Sequence, residues 1–122
     1  FGVIGLDCAL ALYVKALLDD GVIGWPRLIE LLTRTPAALC GLHGNGSDAL
    51  GLGTLREGAA GDVTVIDPNH EWTIEVSKFA SKSRNCPFDG WRVRGRATTT
   101  IVGGRVRFQL ANELAELGEV AR

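Results

Sequence analysis

The sequence predicts a mixed α/β fold, helices first and antiparallel strands after, on three observations. Apolar residues in the first forty positions recur at spacings of three and four. Seven glycines crowd into residues 41–61. Beyond them the apolar period falls to two. The boundary between the two regimes lies near residue 42.

The first helix is expected over residues 6–18. Leu6, Ala9, Leu10, Tyr13, Val14 and Leu17 make one broad apolar face, and Gly21 is a natural stop. Trp25-Pro26 opens a second helix with proline in its first turn, where the missing N–H costs nothing, and Leu28, Ile29, Leu31 and Leu32 give it an apolar side. Thr35-Pro36 repeats the device, Thr35 as N-cap, for a short helix ending near Gly41. The run "GLHGNGSDALGLG", residues 41–53, lacks the GxxxxGK[ST] order of a phosphate loop and is expected to be a long connection. Residues 62–66 then form a strand closed by Asp67-Pro68, and residues 72–76 a second. Residues 98–102 and 105–108 flank Gly103-Gly104, a hairpin whose two-residue turn needs positive φ. Leu110, Leu114 and Leu117 put a terminal helix at 109–122.

Composition excludes several classes of function. Thirteen cations against fourteen anions leave a net charge of −1, so no basic field exists for nucleic acid or an anionic membrane. The apolar run from 8 to 14 is too short to span a bilayer. Cys8, Cys40 and Cys86 are odd in number and widely spaced, which argues for a reducing, cytoplasmic setting. The chain has no Met and starts at Phe1, so it is expected to be a piece of something longer.

Candidate chemistry is sparse. The two histidines, His43 and His70, stand 27 residues apart with no acid or cysteine at ligand spacing, and no CxxC occurs. Cys86 has Lys82 and Arg84 nearby to lower a thiol pKa, but no base is visible to complete a nucleophilic pair. Asp7, Asp19, Asp20, Glu113 and Glu116 read as solvated acids on helix faces. The stretch "SKSRNCPFDGW", residues 81–91, admits three readings: a phosphate clamp, a reactive thiol site or a surface loop.

The order of the motifs is more specific than any of them. "FGVIGLDCALAL", "LIELLTRTPAALCGL", "GTLREGAAGDVTVIDPNHEWTIE" and "FASKSRNCPFDGWRVRGRATTTIVGGRVRF" follow one another as in the C-terminal third of dihydroorotase, and the chain resembles the bacterial type of the amidohydrolase superfamily over about residues 1–108. The resemblance implies the C-terminal part of a metal-dependent enzyme with a (β/α)₈ barrel and a small β-sandwich domain. Residues 1–42 would be the last barrel helices, 43–108 the C-terminal half of the sandwich, and 109–122 a terminal helix. Two zinc ions, their ligands and the catalytic Asp would lie upstream, so no catalytic or metal residue is expected in this chain. The implied reaction is the reversible closure of N-carbamoyl-L-aspartate to dihydroorotate in de novo pyrimidine biosynthesis. A hydantoinase or allantoinase, or an inactive scaffold for aspartate transcarbamoylase, are the alternatives. Implied partners are the remainder of the chain, a small-molecule substrate, and a homodimer or aspartate transcarbamoylase. One substrate contact carries over: Phe1-Gly2 matches a pair that lies against the substrate ring and offers it backbone groups. On the same resemblance, "SKSRN" is a structural signature of the small domain, in which Lys82, Arg84 and Asn85 fix a loop.

Overall fold

A computed structural model describes residues 2–42 and 52–110. Its elements are α1 (Ala9–Tyr13), continued by a π-turn over Val14–Leu18, then α2 (Trp25–Leu32), α3 (Arg34–Leu39), β1 (Val63–Thr73), a 3₁₀ turn (Val76–Lys78), β2 (Arg92–Val102) and β3 (Arg105–Gln109). The three strands form one sheet in the order β1-β2-β3. The chain divides into two compact units, one of residues up to Gly24 with Asp67–Arg96, the other of Trp25–Ile66 with the residues from Ala97 on. The expected terminal helix at 109–122 lies outside the described residues, save that Gln109 closes β3 and Leu110 is buried.

In the first unit the buried face of the leading helix differs from the expected one. Cys8, Ala11 and Val14 are buried, whereas Leu6 is 93% exposed and Tyr13 is exposed. Leu6 lies in the turn ahead of α1, which begins only at Ala9, so it has no place on the helix face. Beyond Tyr13 a π-turn follows, in which Asp19 N–H bonds Val14 C=O at 3.0 Å, five residues back, and the extra residue rotates the later positions out of the 3.6 register. Gly21, at φ +68, ends the segment as expected. Cys8 and Ala11 pack with Ile74, Val76 and Val93, and Trp72, Phe79, Cys86 and Phe88 close around them.

The segment after β1 is stitched to the turn before β2. Ile74 N–H bonds Trp91 C=O at 2.9 Å, and Gly90 N–H returns to Ile74 C=O at 2.8 Å. Asp89 Oδ1 accepts the Val76 N–H at 2.8 Å, and the Phe88 ring stands edge-on to Trp91 at 5.2 Å. Asp19, read from sequence as a solvated acid, accepts Arg94 Nε at 2.9 Å and Nη2 at 2.6 Å, while Arg94 Nη1 reaches Pro68 C=O at 3.1 Å. Half-exposed pairs of this kind contribute about 1 kcal/mol or less.

Two strand expectations are corrected here. Pro68 does not close a strand, since β1 runs through it to Thr73. β1 stands at one side of the sheet, and proline's missing N–H is tolerated on an outer strand. The strand expected at 72–76 is instead the end of β1 followed by the 3₁₀ turn at Val76.

In the second unit α2 begins at Trp25-Pro26 as expected and buries Leu28, but Ile29, Leu31 and Leu32 stay exposed among the described residues. α3 starts at Arg34 rather than after Thr35, with Thr33 in the N-cap position, its hydroxyl donating to Ile29 C=O at 2.7 Å. Gly41 at φ +69 ends it. Gly41 N–H bonds Ala38 C=O and Leu42 N–H bonds Ala37 C=O, the paired closure that glycine permits.

The hairpin is where the period of two put it. Val102 pairs with Arg105 and Ile101 with Val106, and the register slips by one before Thr100 meets Phe108, leaving Arg107 as a bulge. Gly103 and Gly104 have φ +57 and +73. The segment before β1 grips this turn. Asp62 Oδ1 accepts the Gly103 N–H at 2.7 Å, and Gly61 C=O accepts the Gly104 N–H at 2.9 Å. A Cβ at Gly61 would stand 2.9 Å from Gly104 N and 3.2 Å from its Cα. Backbone cannot swing away as a side chain can. Gly61→Ala is therefore expected to cost about 1–3 kcal/mol of stability, the range for overpacking. Chemical denaturation of the full-length protein checks this.

Candidate functional site

The expected substrate contact is the pair Phe1-Gly2. Phe1 lies outside the described residues. Gly2 is exposed, with φ +90, a conformation that residues with a Cβ rarely adopt. Its carbonyl accepts a hydrogen bond from Asn85 Nδ2. Two residues on, Ile4 N–H bonds the Asn85 carbonyl at 3.0 Å. Asp7 Oδ1 then accepts the Ala80 N–H at 3.0 Å. Residues 2–7 are thus held at both ends by residues 80–85. An open cleft of about 590 Å³, lined by residues 3–7 with Ala80 and Ser81, lies along this junction.

The "SKSRN" stretch is therefore not remote from Gly2 in space, although more than eighty residues separate Asn85 from it. Lys82, Arg84 and Asn85 differ in what they do. Asn85 reaches the other loop. Arg84 stitches its own, donating from Nη1 to the carbonyls of Ser81 and of Ser83, the latter at 3.0 Å. Lys82 is exposed and makes none of the ion pairs among the described residues, so its expected part in fixing the loop is not seen. The remainder of the stretch is an anchor: Cys86 and Phe88 enter the core, and Asp89 caps the 3₁₀ turn. Sequence reasoning named Asn85 as fixing a loop but not Gly2 as its partner, and it read Asp7 as a solvated acid. Nothing local marks either pairing, because each bond joins residues far apart along the chain.

The cysteines are all free. Burial foremost, then the adjacent Cys86, push the Cys8 thiol up from 9.0 to about 11. Cys8 sits in the wrong environment for a nucleophile, since burial favours the thiol over the thiolate. The linkage has a definite sign. The unfolded chain releases this proton first, so stability conferred by burying the neutral thiol is intact below pH 9 and is lost as pH rises toward 11. In native alkylation of the protein, exposed Cys40 is expected to react first and Cys8 only on unfolding, with peptide mass mapping as the readout.

Among the described residues no three or more His, Cys, Asp or Glu side chains are gathered so as to hold a metal ion. His70 is half-buried on β1, and His43 lies outside the described residues. The described residues do not fit a zinc centre. Also among the described residues, no helix is long and apolar enough to cross a membrane.

No protein-family model matches the chain. Curated relatives do. The dihydroorotase of Citrifermentans bemidjiense is 44% identical over 108 residues, which is 88% of this chain and 23% of that protein. The dihydroorotase of Geobacter sp. strain M21 is also 44% identical over the same shares. That of Syntrophotalea carbinolica is 40% identical over 111 residues, 91% of this chain and 24% of that protein. The chain spans about a quarter of the length of the relatives it matches. Among solved structures, the L-hydantoinase (dihydropyrimidinase) of Arthrobacter aurescens superposes with a TM-score of 0.76 at 29% identity, over 88% of this chain and 23% of that one. A D-hydantoinase (dihydropyrimidinase) from Thermus sp. gives 0.73 at 22% identity over 88% and 22%, a likeness of fold alone. The mixed α/β class expected from sequence is the class found, and it is shared with these enzymes.

Proposed function

We propose that this chain, homologous to dihydroorotases along 88% of its length, is the part of a dihydroorotase that presents a substrate-facing loop and packs the small domain. The reaction would be the reversible cyclisation of N-carbamoyl-L-aspartate to dihydroorotate in de novo pyrimidine biosynthesis. The observation that carries the reading is identity of 40–44% to proteins of that name. α1 to α3 would cover the barrel, and β1 to β3 would be the C-terminal half of the sandwich. Zinc and the hydrolytic groups are assigned to the remainder of the protein, because the described residues hold no ligand set.

This chain's own contribution would be binding and orientation. Phe1 would lie against the ring, and the backbone beside Gly2, free of a Cβ, would approach it closely enough to bond a substrate oxygen. A hydantoinase-type substrate is the second reading, favoured by the L-hydantoinase superposition. The discriminating experiment assays the full-length protein on dihydroorotate, hydantoin and allantoin, with products identified by chromatography. Preferential opening of dihydroorotate is the expected result. Turnover of hydantoin with none of dihydroorotate would transfer the chain to the second reading, and no turnover of any would favour a scaffold that holds aspartate transcarbamoylase.

A further inference from the structure

We infer that Asn85 is a positioning residue for ligand binding, a strap that sets the conformation of the Gly2 loop; this rests on the reading that the loop faces substrate. Asn85 holds the loop from both of its own polar ends. Its side-chain amide donates to Gly2 C=O, and its main-chain carbonyl accepts the Ile4 N–H at 3.0 Å. Between those two bonds the loop has only Val3 to adjust. The Gly2 peptide plane is thereby fixed on its carbonyl side, at a residue whose φ of +90 leaves the backbone many alternatives. Asp7, bonded to Ala80 N–H, closes the other end of the same junction. The cleft beside residues 3–7 is open, and the stretch is otherwise tied down by Ile4 packing on the core and by the Cys8 N–H on the Gly5 carbonyl at 3.1 Å, neither of which reaches Gly2.

An asparagine fits this task and an aspartate does not. The bond to Gly2 needs a donor, and a carboxylate facing a carbonyl oxygen supplies none. Neighbouring Arg84 is the internal comparison, because its bonds stay within residues 81–83. Asn85 acts through its bonds to the loop, so losing it disorders a binding element without removing a group that reacts.

The test uses the full-length protein and dihydroorotate. Asn85→Ala and Asn85→Asp are expected to raise KM roughly tenfold with kcat within about twofold, the scale of one lost hydrogen bond expressed as uniform binding. Asn85→Gln, which keeps the amide donor, is expected to recover part of the loss. Arg84→Ala is expected to lower the melting temperature with KM unchanged. Amide exchange at Ile4, read by mass spectrometry, is expected to quicken in Asn85→Ala and not in Arg84→Ala. Equal KM shifts in the Arg84 and Asn85 variants would overturn the assignment, since that is the signature of general loop stability. Unchanged exchange at Ile4 would overturn it as well, whatever the kinetics. Faster exchange together with wild-type kinetics in both Asn85→Ala and Gly2→Val would show that the strap exists but the loop is not at substrate, which defeats the functional reading itself.

Discussion

Gly2→Val in the full-length protein is expected to cut kcat/KM by roughly ten- to a hundredfold, since a lost hydrogen bond with its unpaired partner costs about 1–3 kcal/mol. The backbone there sits at φ +90, where a β-branched residue is strained by an amount on the order of 1–3 kcal/mol. Within this chain an added Cβ meets nothing within 4 Å, so the harm comes from the changed backbone and from whatever ligand approaches it. A relaxed φ would also turn the Gly2 carbonyl away from Asn85. Cys86→Thr is the comparison. Cys86 is half-buried against the core, and its hydroxyl replacement bears on packing and not on the Gly2 loop. That variant is expected to keep wild-type kinetics at a small cost in stability. Steady-state kinetics on both variants decides the matter, and wild-type kinetics for Gly2→Val would remove Phe1-Gly2 from the substrate site.

Residues 1–122 expressed alone are expected to associate or aggregate, to hold no stoichiometric zinc and to show no activity. The described core is small: Cys8, Ala11, Val14, Leu28, Ala37, Ile74, Val76, Val93 and Leu110 are its buried members. Against it stand Leu6 at 93%, Leu39 at 84% and Leu55 at 83% exposure, with the apolar side of α2 half open. Fully burying a leucine is worth about 1.5–3 kcal/mol, and three of them equal a large share of the roughly 5–15 kcal/mol that holds a domain together. Among the described residues β1 and β3 are also outer strands, and unpaired edges invite other chains. Size-exclusion chromatography with light scattering and metal analysis after dialysis are the measurements. A cooperatively melting 13.0 kDa monomer would show that the exposed faces need no partner.

What the sequence made legible was local. Gly21 and Gly41 end helices because φ is positive at both, and Gly103-Gly104 makes the hairpin turn for the same reason. Trp25-Pro26 opens α2 because a first-turn proline forfeits no bond. The misread positions are those where a partner far along the chain decides. Asp19 and Asp7 looked like solvated acids until Arg94 and the Ala80 amide met them. Pro68 was expected to end a strand that the sheet carries past it, because periodicity does not reveal which side of a strand is unpaired. The buried positions of the leading segment are Cys8, Ala11 and Val14, and Leu6 falls in the turn before α1, a helix start that apolar spacing does not reveal. The motif "SKSRN" announced a fixed loop, but only its geometry shows that the loop it fixes includes Gly2.

The Asn85-strapped Gly2 loop is proposed to face the ligand of a cyclic amidohydrolase. A crystal structure of the full-length protein with dihydroorotate bound tests it most directly. The ring is expected beside Phe1, with a backbone amide of the Phe1-Gly2 loop at about 2.7–3.2 Å from a ligand oxygen, and with Asn85 still on the Gly2 carbonyl. A ring bound elsewhere, with the Gly2 loop turned to solvent, would contradict it.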